Sequence, residues 1–186
     1  MKLLFTASAV MGLPVVTVSG GEDVAEVRDV IYSPELGHLA GLSLNKRGFL
    51  SGRLKDVLAA ADIRAIGRDA VMVHDETCLS SPDDAPAEVA HPESKRNVIG
   101  DDVLTEGGAS LGTVRDLVLL AGTAGDVVGY QITSADGGDG YIPLPAQLAV
   151  SGSTLVVPEI TKEFIVQDLV SLSAAVDDFR AQMGPA

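Results

Sequence analysis

The chain has 186 residues, a formal net charge of −13 and a single cysteine, Cys78. The acidic balance argues against nucleic-acid binding, which relies on Lys and Arg to displace counterions from phosphates. A lone cysteine excludes an internal disulfide, and no apolar run reaches the length of a membrane span. We therefore expect a cytoplasmic protein that does not insert into membranes.

The N-terminus raises the question of a secretory signal. Lys2 precedes the apolar run Leu3-Leu4-Phe5, and residues 7–9 read Ala-Ser-Ala, which resembles a cleavage site. The apolar run is far shorter than the hydrophobic core of a signal peptide. We interpret residues 2–10 as the opening strand of the first structural unit.

Short strands separated by turns are predicted for almost all of the chain before residue 160. β-Branched and leucine-rich segments bounded by glycine, proline and polar residues are typical of strands. In the first half they lie at residues 15–18, 24–32, 39–44 and 70–73, and residues 52–67 could form a short helical turn. In the second half they lie at residues 103–105, 114–120, 127–132, 141–144 and 155–157. This spacing indicates a small antiparallel barrel or sandwich.

Two segments depart from the strand pattern. Residues 77–96 are rich in Pro, Ser and acidic side chains, which is typical of a partly extended linker. After Pro158 the apolar residues recur every three or four positions, which predicts a helix with one apolar face. That face consists of Leu169, Leu172, Val176, Phe179 and Met183. It is expected either to pack on the chain's own fold or to form a homodimer with the same helix of a second chain.

The same module occurs twice in the sequence. Residues 12–32 read GLPVVTVSGGEDVAEVRDVIY, and residues 100–119 read GDDVLTEGGASLGTVRDLVL. An internal repeat of this kind predicts two copies of one structural unit. We expect a first barrel at 1–76, a linker at 77–96, a second barrel at 97–160 and a helix at 161–186. In superposable barrels, Val15 should coincide with Val103, Val27 with Val114, and Gly41 with Gly129.

Both copies resemble PRC-barrel domains, the small β-barrels found in the photosynthetic reaction centre H subunit and in a ribosome maturation factor. The motif elements of the resemblance are a Gly-x-x-Val start, a Gly turn, an Asp after a strand valine and a central strand glycine. They fall on Gly12, Val15, Gly21, Asp29 and Gly41 in the first copy, and on Gly100, Val103, Gly108, Asp116 and Gly129 in the second. The resemblance implies a mainly β fold of two tandem barrels used for docking onto proteins. It carries no catalytic residues.

Residues capable of chemistry are not arranged for a reaction. His38, His74 and His91 lack the spacing of a zinc site, and the sequence has no G-x-S-x-G elbow for a nucleophilic serine. Residues 136–140 resemble a fragment of a calcium loop but lack the closing Glu, so we interpret them as a hairpin turn. We expect no metal, no cofactor and no enzymatic activity.

The Arg-Asp dipeptide is the only charged pair that both copies contain, as Arg28-Asp29 and Arg115-Asp116. Neighbours on a strand point to opposite faces, so the two side chains cannot simply pair with each other. We expect one member of each pair to bond to backbone at the barrel mouth or across the interface between the units. The candidate structural or interaction residues are these four together with Leu169, Leu172, Val176 and Phe179.

The predicted function is non-enzymatic docking of a protein partner that the sequence does not identify. Residues 1–73 are electrically neutral, whereas residues 97–158 contain seven acidic side chains and one base, so the copies should present different surfaces. One alternative is a small-molecule or enzymatic site in a groove between the barrels. A third, a ribosome- or RNA-associated role by family analogy, is opposed by the negative charge.

Overall fold

A computed structural model describes residues 2–33, 38–48, 52–90, 97–145 and 149–183. The chain divides into two compact units. The first unit comprises Ala7–Asn97 and Ala121–Asp126, and the second comprises Met1–Thr6, Val98–Leu120 and Val127–Ala186. Met1–Thr6 therefore precedes the first repeat in the sequence but belongs to the second unit. Ala121–Asp126 lies within the second repeat but belongs to the first unit. Among the described residues, neither α-helix is long and apolar enough to cross a bilayer.

The first repeat forms a curled seven-stranded sheet. After β1 (Leu4–Thr6), which belongs to the second unit, the chain forms the strands and the short helix of this sheet. They are β2 (Pro14–Thr17), β3 (Asp23–Ser33), β4 (His38–Asn45), β5 (Arg53–Ala59), β6 (Ile63–Ile66), β7 (Val71–Val73), β8 (Leu79–Ser80) and α1 (Ala87–Ala90). The strand order is β6-β7-β2-β3-β4-β5-β8. All neighbours are antiparallel except β2 and β7, which are parallel.

The second repeat forms a sheet with the same connectivity. Its elements are β9 (Asp102–Thr105), β10 (Ser110–Leu120), β11 (Val127–Thr133), β12 (Asp139–Pro143), β13 (Ala149–Ser151), β14 (Thr154–Val157) and α2 (Leu169–Met183). The strand order is β12-β11-β10-β9-β14-β13, with β1 attached to β10. The parallel pair again joins the strand that opens the repeat, β9, to β14, the counterpart of β7. The predicted mainly β fold of two tandem barrels with a C-terminal helix is confirmed.

The strand registers establish which residues correspond in the two copies. Val15 lies beside Val71, and Val103 lies beside Leu155 in the same parallel pairing. Val27 and Val114 are both buried, and each donates its backbone N–H to the loop before β2 or β9. These coincidences were predicted from the sequence repeat, and they show that one hydrophobic core pattern serves both units.

A buried threonine organises the first hairpin of each copy. The Thr17 Oγ1 accepts a hydrogen bond from the Glu22 N–H at 3.0 Å, and the Thr105 Oγ1 accepts one from the Ala109 N–H at 3.1 Å. Each turn also requires a glycine with positive φ. This glycine is Gly21 in the first copy, with φ of 68°, and Gly108 in the second, with φ of 81°. The repeated Thr and Gly-Gly residues are therefore turn-forming groups.

The N-terminal segment differs from the sequence-based interpretation. Residues 2–10 were expected to open the first unit, but Leu4, Phe5 and Thr6 pair with β10 of the second sheet, and Ala7–Val10 form a 3₁₀ helix. Within β10, β9 pairs only with Ser110–Thr113. The edge of the later β10 residues is therefore available to β1. Leu4 packs in a cluster with residues of the second unit. This burial gives β1 a reason to join that sheet.

The segment expected to be an extended linker packs against the first sheet. Leu79 pairs with Leu58 through β8, and Val89 of α1 is buried against Ile31, Ala40 and neighbouring residues. In the second copy, Val166 forms the equivalent bridge to Tyr141, and α2 follows. Residues 79–90 therefore correspond to the C-terminal segment. The linker interpretation rested on the Pro, Ser and acidic content of this segment, and the predicted domain boundaries stay a prediction.

A central glycine in each sheet allows a helix to approach closely. A Cβ on Gly41 would lie 2.4 Å from the Leu58 carbonyl oxygen and 2.9 Å from the Val89 Cγ1. A Cβ on Gly129 would lie 2.4 Å from the Ile142 oxygen and 3.3 Å from the Leu172 Cδ2. The third predicted coincidence is thus confirmed, with a physical reason: neither strand has space for a side chain at this position.

We predict that Gly129→Ala destabilises the protein by about 1–3 kcal/mol, because the new methyl group would overlap a backbone oxygen that cannot rotate away. Gly52→Ala is the matched control, since no atom lies within 4 Å of its Cβ position. Urea denaturation measures both variants. Equal stability of Gly129→Ala and the unmodified protein would contradict the close-approach explanation.

The apolar face of α2 packs within its own unit. Leu172 and Val176 share a cluster with Leu4, Val118 and Val128. Leu169 packs against the same cluster, and the Phe179 ring stands edge-on to Phe164 with ring centroids 5.2 Å apart. The first of the two expected alternatives therefore describes this face, except at Met183, which is 39% exposed. The homodimer stays a prediction, but this burial removes the reason for placing it on these residues.

We predict that Phe179→Ala costs about 3–5 kcal/mol of unfolding free energy, the usual result of emptying a buried aromatic site. Its control on the same helix is Val170→Ala, because Val170 is 62% exposed. That control should change stability by less than about 0.5 kcal/mol. Thermal unfolding followed by circular dichroism checks both. A small effect of Phe179→Ala would mean that α2 is not part of the core.

Candidate functional site

The repeated Arg-Asp pair lies at a β-bulge in both copies. Between Val27 and Asp29, β3 advances two residues while its partner β4 advances one, and β10 does the same between Val114 and Asp116. The arginine is thus the extra residue of each bulge. A bulge re-aims the side chains that follow it, so the alternation expected for a regular strand does not hold here.

The aspartate of each pair bonds to the backbone at the bulge. The Asp29 carboxylate accepts a hydrogen bond from the Val30 N–H, and the Asp116 carboxylate accepts one from the Leu117 N–H, both at 2.8 Å. Asp116 is buried, whereas Asp29 is exposed. Arg28 and Arg115 are both exposed, and Arg115 forms an ion pair with Asp139 at 2.9 Å. The carboxylates therefore stabilise the bulges.

An open groove lies beside the second bulge. Its volume is about 480 Å³, and it is lined by residues from the start of the second repeat, from β10 and from the end of β11. Ile99, Gly112, Thr113, Ser134 and Ala135 are among the lining residues. Ile99 is 41% exposed, which gives the groove an apolar contact surface beside its hydroxyl groups. Every lining residue belongs to the second unit.

The corresponding position in the first copy contains an ion-pair cluster. Arg47 forms an ion pair with Asp23 and another with Glu26, the second at 2.9 Å. The strand registers align Asp23 with Ser110 and Glu26 with Thr113. They also align Asn45, the last residue of β4, with Thr133, the last residue of β11. Both acidic side chains of the cluster are thus replaced by hydroxyl side chains in the second copy.

Several carboxyl groups accept hydrogen bonds from residues of exposed turns or of a helix end, and these bonds lower their pKa values. Thr77 and His74 lower the pKa of Asp75 to about 2, and Ser134 and the Gly138 N–H lower that of Asp136. The pKa of Asp168 is lowered by the Ser171 N–H and hydroxyl at the first turn of α2. These carboxylates cap turns and a helix, which is a structural use of charge.

The residues considered for metal binding occupy separate positions. His38 is exposed at the start of β4, and the His74 ring contacts Asp75 at 2.8 Å. His91 lies outside the described residues. Residues 134–138 form the turn between β11 and β12, where the Ser134 hydroxyl donates to the Asp136 carboxylate and the Gly137 N–H donates to the Ser134 carbonyl. This turn agrees with the hairpin interpretation of the glycine-rich segment.

Sequence reasoning missed the groove because no lining residue is chemically unusual. The signal was present in the difference between the copies: Asp23 and Glu26 become Ser110 and Thr113. Reading it required the strand registers, since the first turn and the next hairpin each shift the alignment of the two copies by one residue.

The sequence pattern of the PRC-barrel domain matches residues 4–76 and 93–169. The chain belongs to the PRC-barrel family. It is a tandem PRC-barrel protein, as the resemblance of its two copies indicated. None of the curated proteins matches the chain. The recurring residues of the two PRC-barrel copies have structural roles, because Gly21 and Gly108 form turns, Asp29 and Asp116 bond to bulges, and Gly41 and Gly129 admit a helix.

We predict that Asp116→Ala lowers the unfolding free energy by about 1–3 kcal/mol, because a buried N–H loses its acceptor. Asp29→Ala is the matched control at the equivalent exposed bulge, where water can replace the carboxylate, and should cost less than about 0.5 kcal/mol. Chemical denaturation of both variants makes the comparison. Equal losses would show that burial does not determine the importance of the bulge carboxylate.

Proposed function

We propose that this protein is a non-enzymatic docking module that binds a protein partner through the surface of its second PRC-barrel. PRC-barrel domains occur in protein-interaction modules, which makes docking the first function to consider. The observation that supports it most is the contrast between the copies. Their turns, bulges and central glycines are the same, whereas the ion-pair cluster of one copy is an open groove in the other.

Charge supports the same proposal. Residues 97–158 contain Arg115 as their only base and seven acidic side chains. Arg115 is paired with Asp139, so its charge is largely offset within the fold. A surface of one sign accelerates encounter with a partner of opposite sign and discourages partners of like sign. The proposed partner is therefore a protein with a basic surface.

The absence of enzymatic activity is part of this proposal. The lowered pKa values belong to exposed carboxylates that cap a turn or a helix, as Asp75 and Asp168 do, or that pair with a lysine, as Asp177 does. Lowering the pKa keeps these groups ionised, while a general acid or base at neutral pH needs a pKa nearer 7. The carboxyl groups with lowered pKa values thus stabilise local structure.

The groove also favours a second candidate, the binding of a small molecule. Its volume of about 480 Å³ is within the range of ligand pockets. However, such pockets enclose their ligands, whereas this groove is open to solvent and includes the exposed Ile99 beside several hydroxyl groups. An open surface suits a segment of a protein better.

A capture experiment followed by reconstitution tests the docking proposal. The full-length protein is immobilised, retained proteins are identified, and each candidate is purified and titrated against the free protein by calorimetry at 50 and 200 mM salt. We expect a saturable complex that weakens at the higher salt, because oppositely charged surfaces are screened. A small molecule that binds stoichiometrically, with no protein partner forming a complex, would contradict the proposal.

A further inference from the structure

Equivalent hairpins of the two copies carry charge of opposite sign. The sequence of the β11–β12 hairpin, residues 133–141, contains two acidic side chains and no base. The sequence of the β4–β5 hairpin, residues 45–55, contains no acidic side chain and four bases, which are Lys46, Arg47, Arg53 and Lys55. This concentration of bases occurs in a chain whose formal net charge is −13.

The strand registers show that the reversal of charge falls on equivalent positions. Arg53 pairs with Asn45, the last residue of β4, and Asp139 pairs with Thr133, the last residue of β11. Asn45 and Thr133 are equivalent residues of the two copies. The same sheet therefore forms with either charge at this position, so folding does not require the bases of the first hairpin.

The strand β5 extends beyond the strand that covers its outer edge. β8 pairs with β5 at Val57 and Leu58. Residues 53–56 continue past that pairing, and no strand in the described part of the chain adds to their outer edge. The backbone N–H and C=O groups of such an edge can pair with an added strand.

The side chains along this edge alternate in exposure. Arg53 and Lys55 are exposed, whereas Leu54 and Asp56 are half-buried. Side chains two residues apart on a strand lie about 7 Å apart on one face. Lys55 forms no ion pair with any residue that the structure describes. The edge thus presents two cations at the spacing of alternate residues in a second strand.

We propose that the outer edge of β5 binds an acidic segment of another protein as an added strand, with carboxylates at alternate positions facing Arg53 and Lys55. Backbone pairing supplies affinity, and the two cross-strand ion pairs supply selectivity. The occupant is a peptide because a strand edge offers main-chain donors and acceptors in register, and a nucleic acid is disfavoured by the net charge of −13. The site belongs to the first unit, so it is separate from the docking surface proposed for the second.

The test uses the ¹⁵N-labelled full-length protein and a capped peptide, Gly-Thr-Glu-Val-Glu-Thr-Gly, with amide chemical shifts as the readout. The peptide should shift the amide signals of Leu54, Lys55 and Asp56. A control peptide with Gln in place of both Glu residues should bind about fivefold more weakly, because both cross-strand ion pairs are lost. A second control, Gly-Thr-Val-Glu-Glu-Thr-Gly, has the same composition but directs its carboxylates to opposite faces of a strand, and should also bind more weakly. Equal binding of the three peptides would overturn the proposal.

Variants of the protein test the location of the site. Lys55→Glu should weaken binding of the acidic peptide at least about fivefold, whereas Arg180→Glu, which makes the same change of charge at an exposed position of α2, should leave it within about twofold. The double variant Arg53→Glu/Lys55→Glu should instead bind Gly-Thr-Lys-Val-Lys-Thr-Gly, in which both charges are reversed. Thermal unfolding confirms that each variant is folded. Equal losses in Lys55→Glu and Arg180→Glu would indicate general repulsion and overturn the site.

Vesicles of phosphatidylcholine and phosphatidylserine distinguish a peptide from an anionic membrane. We expect these vesicles to leave the amide signals of residues 54–56 unchanged. Shifts at these residues with vesicles, and none with the acidic peptide, would assign the basic edge to a lipid surface and overturn the proposal.

Protection of the edge is the other role that its charges could have. Charged side chains and bulges keep a strand edge from pairing, and β5 has a bulge between its pairings with Ser43 and Asn45. If no peptide binds and Lys55→Val aggregates in light scattering, the charges only protect the edge and the proposal fails. None of these outcomes involves the groove of the second unit, so the docking function is tested separately.

Discussion

The close approach of neighbouring strands at a central glycine is the constraint on which the rest of each PRC-barrel depends. At Gly41 and Gly129 a carbonyl oxygen of the next strand lies 2.4 Å from the place of a Cβ. That missing side chain lets a helix residue, Val89 or Leu172, reach the sheet. Because aromatic residues make up only 4% of the chain, much of the core consists of such tightly packed aliphatic contacts.

The helix contact explains why the two copies include more of the chain than the recognisable repeat. In the second copy, α2 covers the sheet face with a long apolar stripe, whereas in the first copy α1 has four residues and buries Val89. β8 and Val166 place these helices by pairing with β5 and β12. The structural repeat is thus longer than the sequence repeat, because the last segments share geometry and only a few apolar positions.

The duplication distinguishes residues that both copies share from positions at which the copies differ. The turn threonines, bulge aspartates and central glycines are kept in both copies, where each accepts a hydrogen bond from a backbone N–H or avoids a steric overlap. The positions of the ion-pair cluster differ, since Asp23 and Glu26 correspond to Ser110 and Thr113 while the strands keep the same register. The difference between the copies at these positions therefore leaves the fold unchanged.

The repeat, the family resemblance, most of the strands and the apolar face of α2 followed from the sequence, because periodicity and turn residues are local signals. Residues 52–67, for which the sequence offered a short helical turn, form β5 and β6 with a 3₁₀ turn between them. Only the tertiary structure decided that β1 joins the second sheet, that residues 79–90 pack on the first sheet and that a groove faces Ile99. These features depend on which strand edge is unpaired and on strand registers shifted by bulges at Arg28 and Arg115. Register is set by pairing between distant segments, and a one-residue shift changes which side chains meet.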